Sequence, residues 1–253
     1  MIPELAELLR ASITESLEDR VAIAFSGGLD STLIAAVAKN DATTELFACG
    51  TEMCDDLRYS EEVARLLDLP LHKTVMTQDS VIETYEKCLQ IVPGDLLKVE
   101  LLVPVYKCAE AARAAGHRVL LFGSAAEELF VGYERYYAYF DEGKDLQALL
   151  VEEFRELEQR EIAWVGKVCR KFGLEARFPL YKKGLERFVR QVPLEVLMED
   201  KALKKGVLRE ACKLLGVPGT VLLRRKQAMQ YGSGIHKIIL RHAKALNAKG
   251  AGR

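Results

Sequence analysis

Residues 21–25, Val-Ala-Ile-Ala-Phe, form a continuous apolar run that ends on Ser26-Gly27-Gly28-Leu29-Asp30-Ser31, with an apolar stretch to Lys39 behind it. Five apolar residues without alternation suit a strand buried on both faces, which occurs where helices cover both sides of a parallel sheet. Paired glycines let a backbone approach an anion without Cβ clashes. The N–H groups of the loop and of the following helix start then face that anion. Ser26, Ser31 and Thr32 add hydroxyl donors. Asp30 would repel a bare phosphate, so its place in the loop implies a bridging Mg2+. A serine-capped tight turn is the plainer alternative, and the strand–loop–helix setting disfavours it. No Gly-Lys-Ser or Gly-Lys-Thr occurs in the chain, which excludes a Walker A loop.

Further strands are expected at 45–49, 71–76 and 118–122, and helices at 4–17, 31–39, 59–67, 79–91 and 101–115. Strands alternating with helices predict an α/β fold, with a parallel, doubly wound sheet of about five strands. Ligands of such sheets bind at the carboxyl ends of strands near a switch in strand order. The loops after Phe25 and Phe122 both fall at such ends. Beyond about residue 140 the strand signals stop, and 145–172, 184–192 and 204–215 read as helices. The small, basic stretch 243–253 reads as a frayed tail. The expected organisation is a nucleotide-binding core over 1–140 and a helical part over 141–253, packed on the core and completing the site.

Charge is distributed unevenly. Residues 201–253 carry 13 Lys and Arg against Glu210 alone, a net +12, whereas the preceding 200 residues carry −13. Such a basic region suits phosphates or a polyanionic partner, although most of its charges read as solvated helix faces. The six cysteines (Cys49, Cys54, Cys88, Cys108, Cys169, Cys212) include no CxxC pair and read as buried reduced thiols. The four histidines stand alone, without metal-ligand spacing. No apolar run approaches the ~20 residues of a membrane span, and the first residues lack the pattern of a signal peptide. A cytoplasmic location is expected.

Four further motifs follow in order: Phe122-Gly123-Ser124-Ala-Ala-Glu127-Glu128, running on to Gly132-Tyr133; Glu175-Ala-Arg177-Phe-Pro179; Lys205-Gly-Val-Leu-Arg209-Glu210; and Arg224-Arg225-Lys226, running on to Gly232. The Ser26–Ser31 loop resembles the pyrophosphate loop of N-type ATP pyrophosphatases, which release AMP and pyrophosphate. The ordered set, over roughly residues 18–240, resembles the synthetase domain of asparagine synthetases. It is most similar to the divergent asparagine synthetase domain-containing proteins. That resemblance implies an adenine nucleotide α-hydrolase fold and an ATP-dependent ligase. Such a ligase adenylates a carboxylate, with aspartate favoured, and ammonia then attacks.

By resemblance, Asp30 and Glu127 hold Mg2+–pyrophosphate and Lys226 meets the departing phosphates. Cys49, Gly50 and Gly123 lie by the adenosine. Phe25, Ser26, Gly27, Gly28, Ser31, Thr32, Ser124 and Lys205 complete the expected ATP-binding set. Each carries a plainer reading too. Lys226 could belong to a solvated basic run, and Glu127 and Glu128 could simply suit a helix N-terminus. The aromatic group Tyr133, Tyr136, Tyr137, Tyr139 and Phe140 could roof the site, but packing is the commoner use of such a cluster.

The chain departs from the family pattern in three places. Ser124 stands where a glutamate is usual near the amide-forming centre, Glu127 replaces the metal-binding aspartate, and Lys182 replaces an acid. Ile2 stands where glutamine-dependent members begin with a catalytic cysteine, and about twenty residues precede the first strand. The expectation is therefore free ammonia, a separate glutaminase subunit, or no amide formation at all. Two other readings remain open at this point: a tRNA-modifying enzyme of the same loop class, and a degenerate ATP- or AMP-binding subunit.

Overall fold

The computed structural model describes residues 1–92, 96–225 and 232–250. Strand β1 (Arg20–Ala24) lies at the middle of a five-stranded sheet. Beside it run β2 (Thr43–Thr51) and β3 (Leu71–Met76) on one side, and β4 (Val119–Leu121) and β5 (Glu175–Arg177) on the other. The order is β3-β2-β1-β4-β5 and every neighbouring pair is parallel, with Ala24 opposite Phe47 and Ala22 opposite Leu120.

The apolar run of β1 is divided between two cores. Val21 and Ile23 face one core with Leu33, Leu46 and Leu121, whereas Ala22 faces the other with Phe47 and Leu120. Helices α1 (Ile2–Thr14) and α2 (Leu29–Ala38) supply Leu5, Leu9, Ile13 and Ile34 to the first core. Helix α3 (Asp55–Leu67) adds Val63 and Leu67. The second core receives Val81 and Cys88 from α4 (Gln78–Ile91), which is capped by Thr77 accepting from the Ser80 amide at 3.2 Å. The short α5 (Leu96–Val99) leads to α6 (Leu102–Ala114), which adds Val103 and Ala109. Each fully buried aliphatic side chain of this kind contributes about 1.5–3 kcal/mol.

After β4 come α7 (Ala126–Leu129), α8 (Glu134–Asp141), α9 (Leu146–Glu156) and α10 (Ala163–Lys171). The expected helix over 145–172 is thus interrupted by a π-helical turn, Glu158–Ile162, between α9 and α10. Helices α11 (Lys183–Val189), α12 (Leu194–Met198), α13 (Gly206–Leu214) and α14 (Gly219–Leu222) follow. Leu208, Ala211 and Cys212 of α13 pack into the same core as α1. Helix α15 (Ile235–Gly250) returns to the opposite face, where Ile235 and Ile239 join the second core.

Two expectations are corrected here. Strand signals do not stop at residue 140, because β5 pairs with β4 through Val119 opposite Glu175 and Leu121 opposite Arg177. It is a three-residue edge strand with a charge at each end and no apolar run, a common way of protecting an edge. Arg177 ties it to the segment before β1, donating to the Ser16 carbonyl at 3.1 Å and to Glu18 at 3.0 Å. The stretch expected to fray is helical through Gly250.

Candidate active site

Strand β1 has β2 on one side and β4 on the other, so the connections leaving β1 and β4 part at this point of the sheet. This is the switch in strand order at which open α/β sheets bind ligands. Gly27, at φ +67°, makes the turn, and a Cβ there would stand 2.9 Å from the Tyr59 carbonyl carbon and oxygen. Ser26 Oγ accepts from the Gly28 amide at 3.3 Å, and Ser31 Oγ donates to the Gly28 carbonyl at 3.3 Å. The N-cap of α2 is Gly28, which has no side chain to satisfy the first amides of that helix. Thr32 Oγ1 is buried without a hydrogen-bond partner among the described residues. Phe25 is buried beneath the loop.

The second loop closes against the first. A Cβ on Gly123 would lie 2.9 Å from Asp30 Cβ. Three of the expected site residues then meet: Lys205 Nζ donates to Asp30 Oδ1 and Oδ2 at 2.9 and 2.7 Å, and to Glu127 Oε1 at 2.6 Å. Lys205 is 4 % exposed. A buried ammonium is tolerated only when paired, and here two carboxylates share it. The formal charge of the three is −1, so a polyphosphate beside them needs further positive charge.

The backbone around this triad is constrained. Lys204 and Lys205 are both left-handed, at φ +60° and +56°, which delays the start of α13 from the expected 204 to Gly206. Buried Val131 is also left-handed, at φ +52°, a strained state for a β-branched residue that costs on the order of 1–3 kcal/mol. Gly132, next in the chain, leaves no room for a side chain. A Cβ there would lie 1.7 Å from Glu127 Oε2 and 2.5 Å from Lys205 Cε.

Cys49 and Gly50 end β2 beside the phosphate loop, and Phe25 N donates to the Phe47 carbonyl at 2.8 Å. The late loop also reaches this edge. Thr51 N donates to the Ser233 carbonyl at 2.9 Å, and a Cβ on Gly232 would lie 2.3 Å from Asp56 Oδ1. Lys226 lies outside the described residues. The sequence reading gave no role to Arg224, yet its guanidinium carbon sits 3.4 Å over the Tyr59 ring. Arg224 also donates to the Gly27 carbonyl at 3.5 Å and lies 3.9 Å from Asp56. Burial pushes the Asp56 carboxyl up to about 7, with Arg224 opposing the rise.

Ser124 lies apart from the triad's hydrogen bonds and bonds instead to the Glu161 carboxylate, which comes from the π-helical turn. Burial raises Glu161, and the Ser124 hydrogen bond offsets part of that rise. Burial also pushes Glu128 up to about 7, with Glu161 adding to the effect. Most of the aromatic group packs: Tyr136 and Tyr137 are buried, Tyr136 donates to Glu153 at 2.5 Å, and Tyr133 meets Tyr136 edge-on at 5.4 Å, whereas Phe140 is exposed. All six cysteines are free and buried. The described residues contain no group of three His, Cys, Asp or Glu able to hold a metal ion, and no helix long and apolar enough to cross a membrane.

A five-stranded parallel sheet with helices on both faces, carrying a Ser-Gly-Gly-Leu-Asp-Ser loop at its switch point, is the PP-loop form of the adenine nucleotide α-hydrolase fold. The solved NMN synthetase from Francisella tularensis has a similar fold, with a TM-score of 0.50 and 14 % identity over 94 % of this chain and 84 % of that one. The asparagine synthase family profile matches residues 4–164 and, in an overlapping match, 139–250. The chain belongs to the asparagine synthase family. It is 28 % identical to asparagine synthetase B [glutamine-hydrolyzing] of Escherichia coli, over 91 % of this chain and 45 % of that protein. It is also 28 % identical to a Methanocaldococcus jannaschii protein provisionally named asparagine synthetase [glutamine-hydrolyzing] 1, over 89 % of this chain and 48 % of that protein. The chain thus spans about half the length of these curated relatives.

Proposed function

We propose that this asparagine-synthase-like, ATP-dependent ligase adenylates a carboxylate, with release of pyrophosphate, and that ammonia then displaces AMP to give an amide. Aspartate is the favoured acceptor, because the relatives are named as asparagine synthetases. The observation that carries the reading is the meeting of Asp30, Glu127 and Lys205 at the mouth of the phosphate loop. Cleavage between the α- and β-phosphates gathers negative charge on the leaving pyrophosphate, and cations held in a water-poor site stabilise that charge most. Lys205 is one such cation. The loop amides and the uncapped start of α2 supply neutral donors to the same oxygens.

The donor set also fits Mg2+. Asp30 and Glu127 are hard oxygen ligands converging on one point, which a Lys205 ammonium satisfies in this structure. When bound there, the metal would neutralise the polyphosphate. Lys226, two positions after Arg224 in the sequence, is assigned to the departing phosphates. Cys49, Gly50 and Gly123 are assigned to the adenosine side. A glutaminase subunit is the class of partner that would deliver ammonia.

The test is product analysis with Mg-ATP, ammonium and each amino acid in turn. AMP and pyrophosphate formation that depends on aspartate, and is lost in Asp30→Ala and Lys205→Ala, is the expected result. Formation of ADP and phosphate would overturn the adenylation reading. Turnover with a different amino acid would retain the chemistry and replace the acceptor.

A further inference from the structure

Arg209, on α13, is 5 % exposed, and its helix neighbours Leu208, Ala211 and Cys212 are fully buried in the core. An arginine side chain has five N–H donors in a rigid planar fork. All five are used here, and every acceptor is a main-chain carbonyl. Nε donates to Lys204 at 2.8 Å, and one terminal nitrogen donates to Val221 and Leu222 at 3.3 and 2.7 Å. The other donates to Leu203 and Arg224 at 2.8 and 3.1 Å. Among the described residues no carboxylate hydrogen-bonds to this guanidinium, and Asp200 and Asp30 act on it only through their charge. Buried charges are commonly paired with an opposite charge. This one is held instead by a fan of carbonyl dipoles.

The five carbonyls belong to two turns, 203–204 and 221–224, and each turn leads into a cation at the nucleotide site. In the first, Arg209 grips the peptides on both sides of Lys204, which has φ +60°. Its own amide donates to the Lys205 carbonyl at 2.9 Å. Lys205 is thereby fixed at φ +56°, with Nζ between Asp30 and Glu127. Left-handed backbone is uncommon for lysine and persists where its surroundings impose it. In the second turn, the Val221 and Leu222 carbonyls are the last of α14 and lack an intrahelical partner. The Arg224 carbonyl lies beside them, and the Arg224 guanidinium covers Tyr59 and reaches the Gly27 carbonyl.

Resting on the reading of this site as the ATP site, we infer that Arg209 is a positioning residue that clamps the two cation-bearing turns together. Lys205 and Arg224 then meet the polyphosphate at a fixed separation. The clamp is rigid because its acceptors are main-chain atoms and its helix is anchored in the core. A lysine in place of Arg209 would keep the charge, but its three donors radiate from one atom and cannot span both turns.

The experiment is a double-variant cycle in the full chain, read by calorimetric titration with Mg-ATP. Residues that share one network couple by about 2- to 150-fold, whereas the effects of independent sites multiply. Arg209→Lys should weaken Mg-ATP binding about tenfold in the parent and much less in an Arg224→Lys background, where one of the positioned cations is already lost. A role confined to stability would lower the melting temperature and weaken binding equally in both backgrounds. Equal weakening, or unchanged binding by Arg209→Lys, overturns the inference. If Arg209→Lys does not fold, hydrogen exchange in the unaltered protein decides the matter. Mg-ATP should slow the Lys204 and Arg224 amides together, as members of one clamped unit. Slowing of one without the other overturns the clamp. No binding of Mg-ATP by the unaltered protein would overturn the ATP-site reading itself, and the inference with it.

Discussion

Lys205 Nζ lies 2.6 Å from Glu127 Oε1, although the two residues are 78 positions apart. The same ammonium reaches Asp30 across 175 positions, so one lysine joins the two loops that leave the centre of the sheet. Replacing Lys205 with Met would leave two carboxylates facing each other. Removing one partner of a buried ion pair costs about 3–5 kcal/mol, or about 6–20 °C in melting temperature for a domain of this size. Thermal unfolding without divalent ions should show that loss. Added Mg2+ should restore more stability to Lys205→Met than to the parent, because a ligand of the folded state stabilises it by mass action. A melting temperature of the variant indifferent to Mg2+ would remove Asp30 and Glu127 as a shared cation site.

Gly132→Ala tests how closely that site is fitted. The new methyl would overlap Glu127 Oε2 at 1.7 Å and drive the carboxylate and Lys205 Cε apart. Overpacking of this kind costs about 1–3 kcal/mol. The expected result is a folded variant with AMP production at least about tenfold lower, since small displacements of charged groups are costly in preorganised sites. Circular dichroism together with the AMP assay checks both halves. Full activity would mean that Glu127 has space to move without consequence.

Arg224→Lys should weaken ATP binding while sparing the fold. Lysine keeps the charge but loses the flat guanidinium that stacks on Tyr59 and reaches the Gly27 carbonyl. Losing a partly desolvated cation–π contact costs about 1–2 kcal/mol, too little to unfold the chain, and the phosphate loop freed from Arg224 should show as a higher KM for ATP. An unchanged KM would reduce Arg224 to a packing role.

Stability should fall on mild acidification because of a cluster at the other end of the sheet. Buried His117 has Nε2 3.2 Å from Glu45 Oε1 without hydrogen-bond geometry, and Glu45 also meets His72 at 2.7 Å and Arg20 at 3.1 Å. Burial lowers the His117 pKa, Glu45 opposes that shift, and Arg20 and His72 reinforce it. With the folded value below the unfolded value of about 6.5, His117 favours the folded state above pH 6.5. That contribution is lost as pH falls from there toward the folded value. Melting temperatures from pH 7.5 to 5 should therefore drop more steeply for the parent than for His117→Gln. Parallel curves would show that His117 protonates as readily in the fold as out of it.

Much of this could be read along the chain because it is local. The run 21–25 ending on Gly27 and Gly28 specifies a buried strand and a phosphate turn within ten residues; β1, β2 and β4 fall where apolar runs are found, and β3 falls on the expected 71–76. Strand β5 was not legible, because its three residues pair only by virtue of the β4 edge beside them. The π-helical turn hides within an apolar pattern that a continuous helix would satisfy equally well. At the site, Asp30, Glu127 and Lys205 could be picked out by motif, but their shared contact is tertiary. Arg224 opens the last motif but had no role assigned there, and Glu161 carried no motif of its own. Each becomes visible only once Tyr59 or Ser124 stands beside it.

The wide spacing of the triad has a consequence for biosynthesis. As the chain emerges from the ribosome, the phosphate loop and β1 appear 175 residues ahead of the ammonium that steadies Asp30. Closing so large a loop is slow compared with forming local helices. A nascent chain therefore exposes a nucleotide-like turn well before it can grip a nucleotide. Firm binding of ATP becomes a late milestone, one that distinguishes a finished molecule from a nearly finished one.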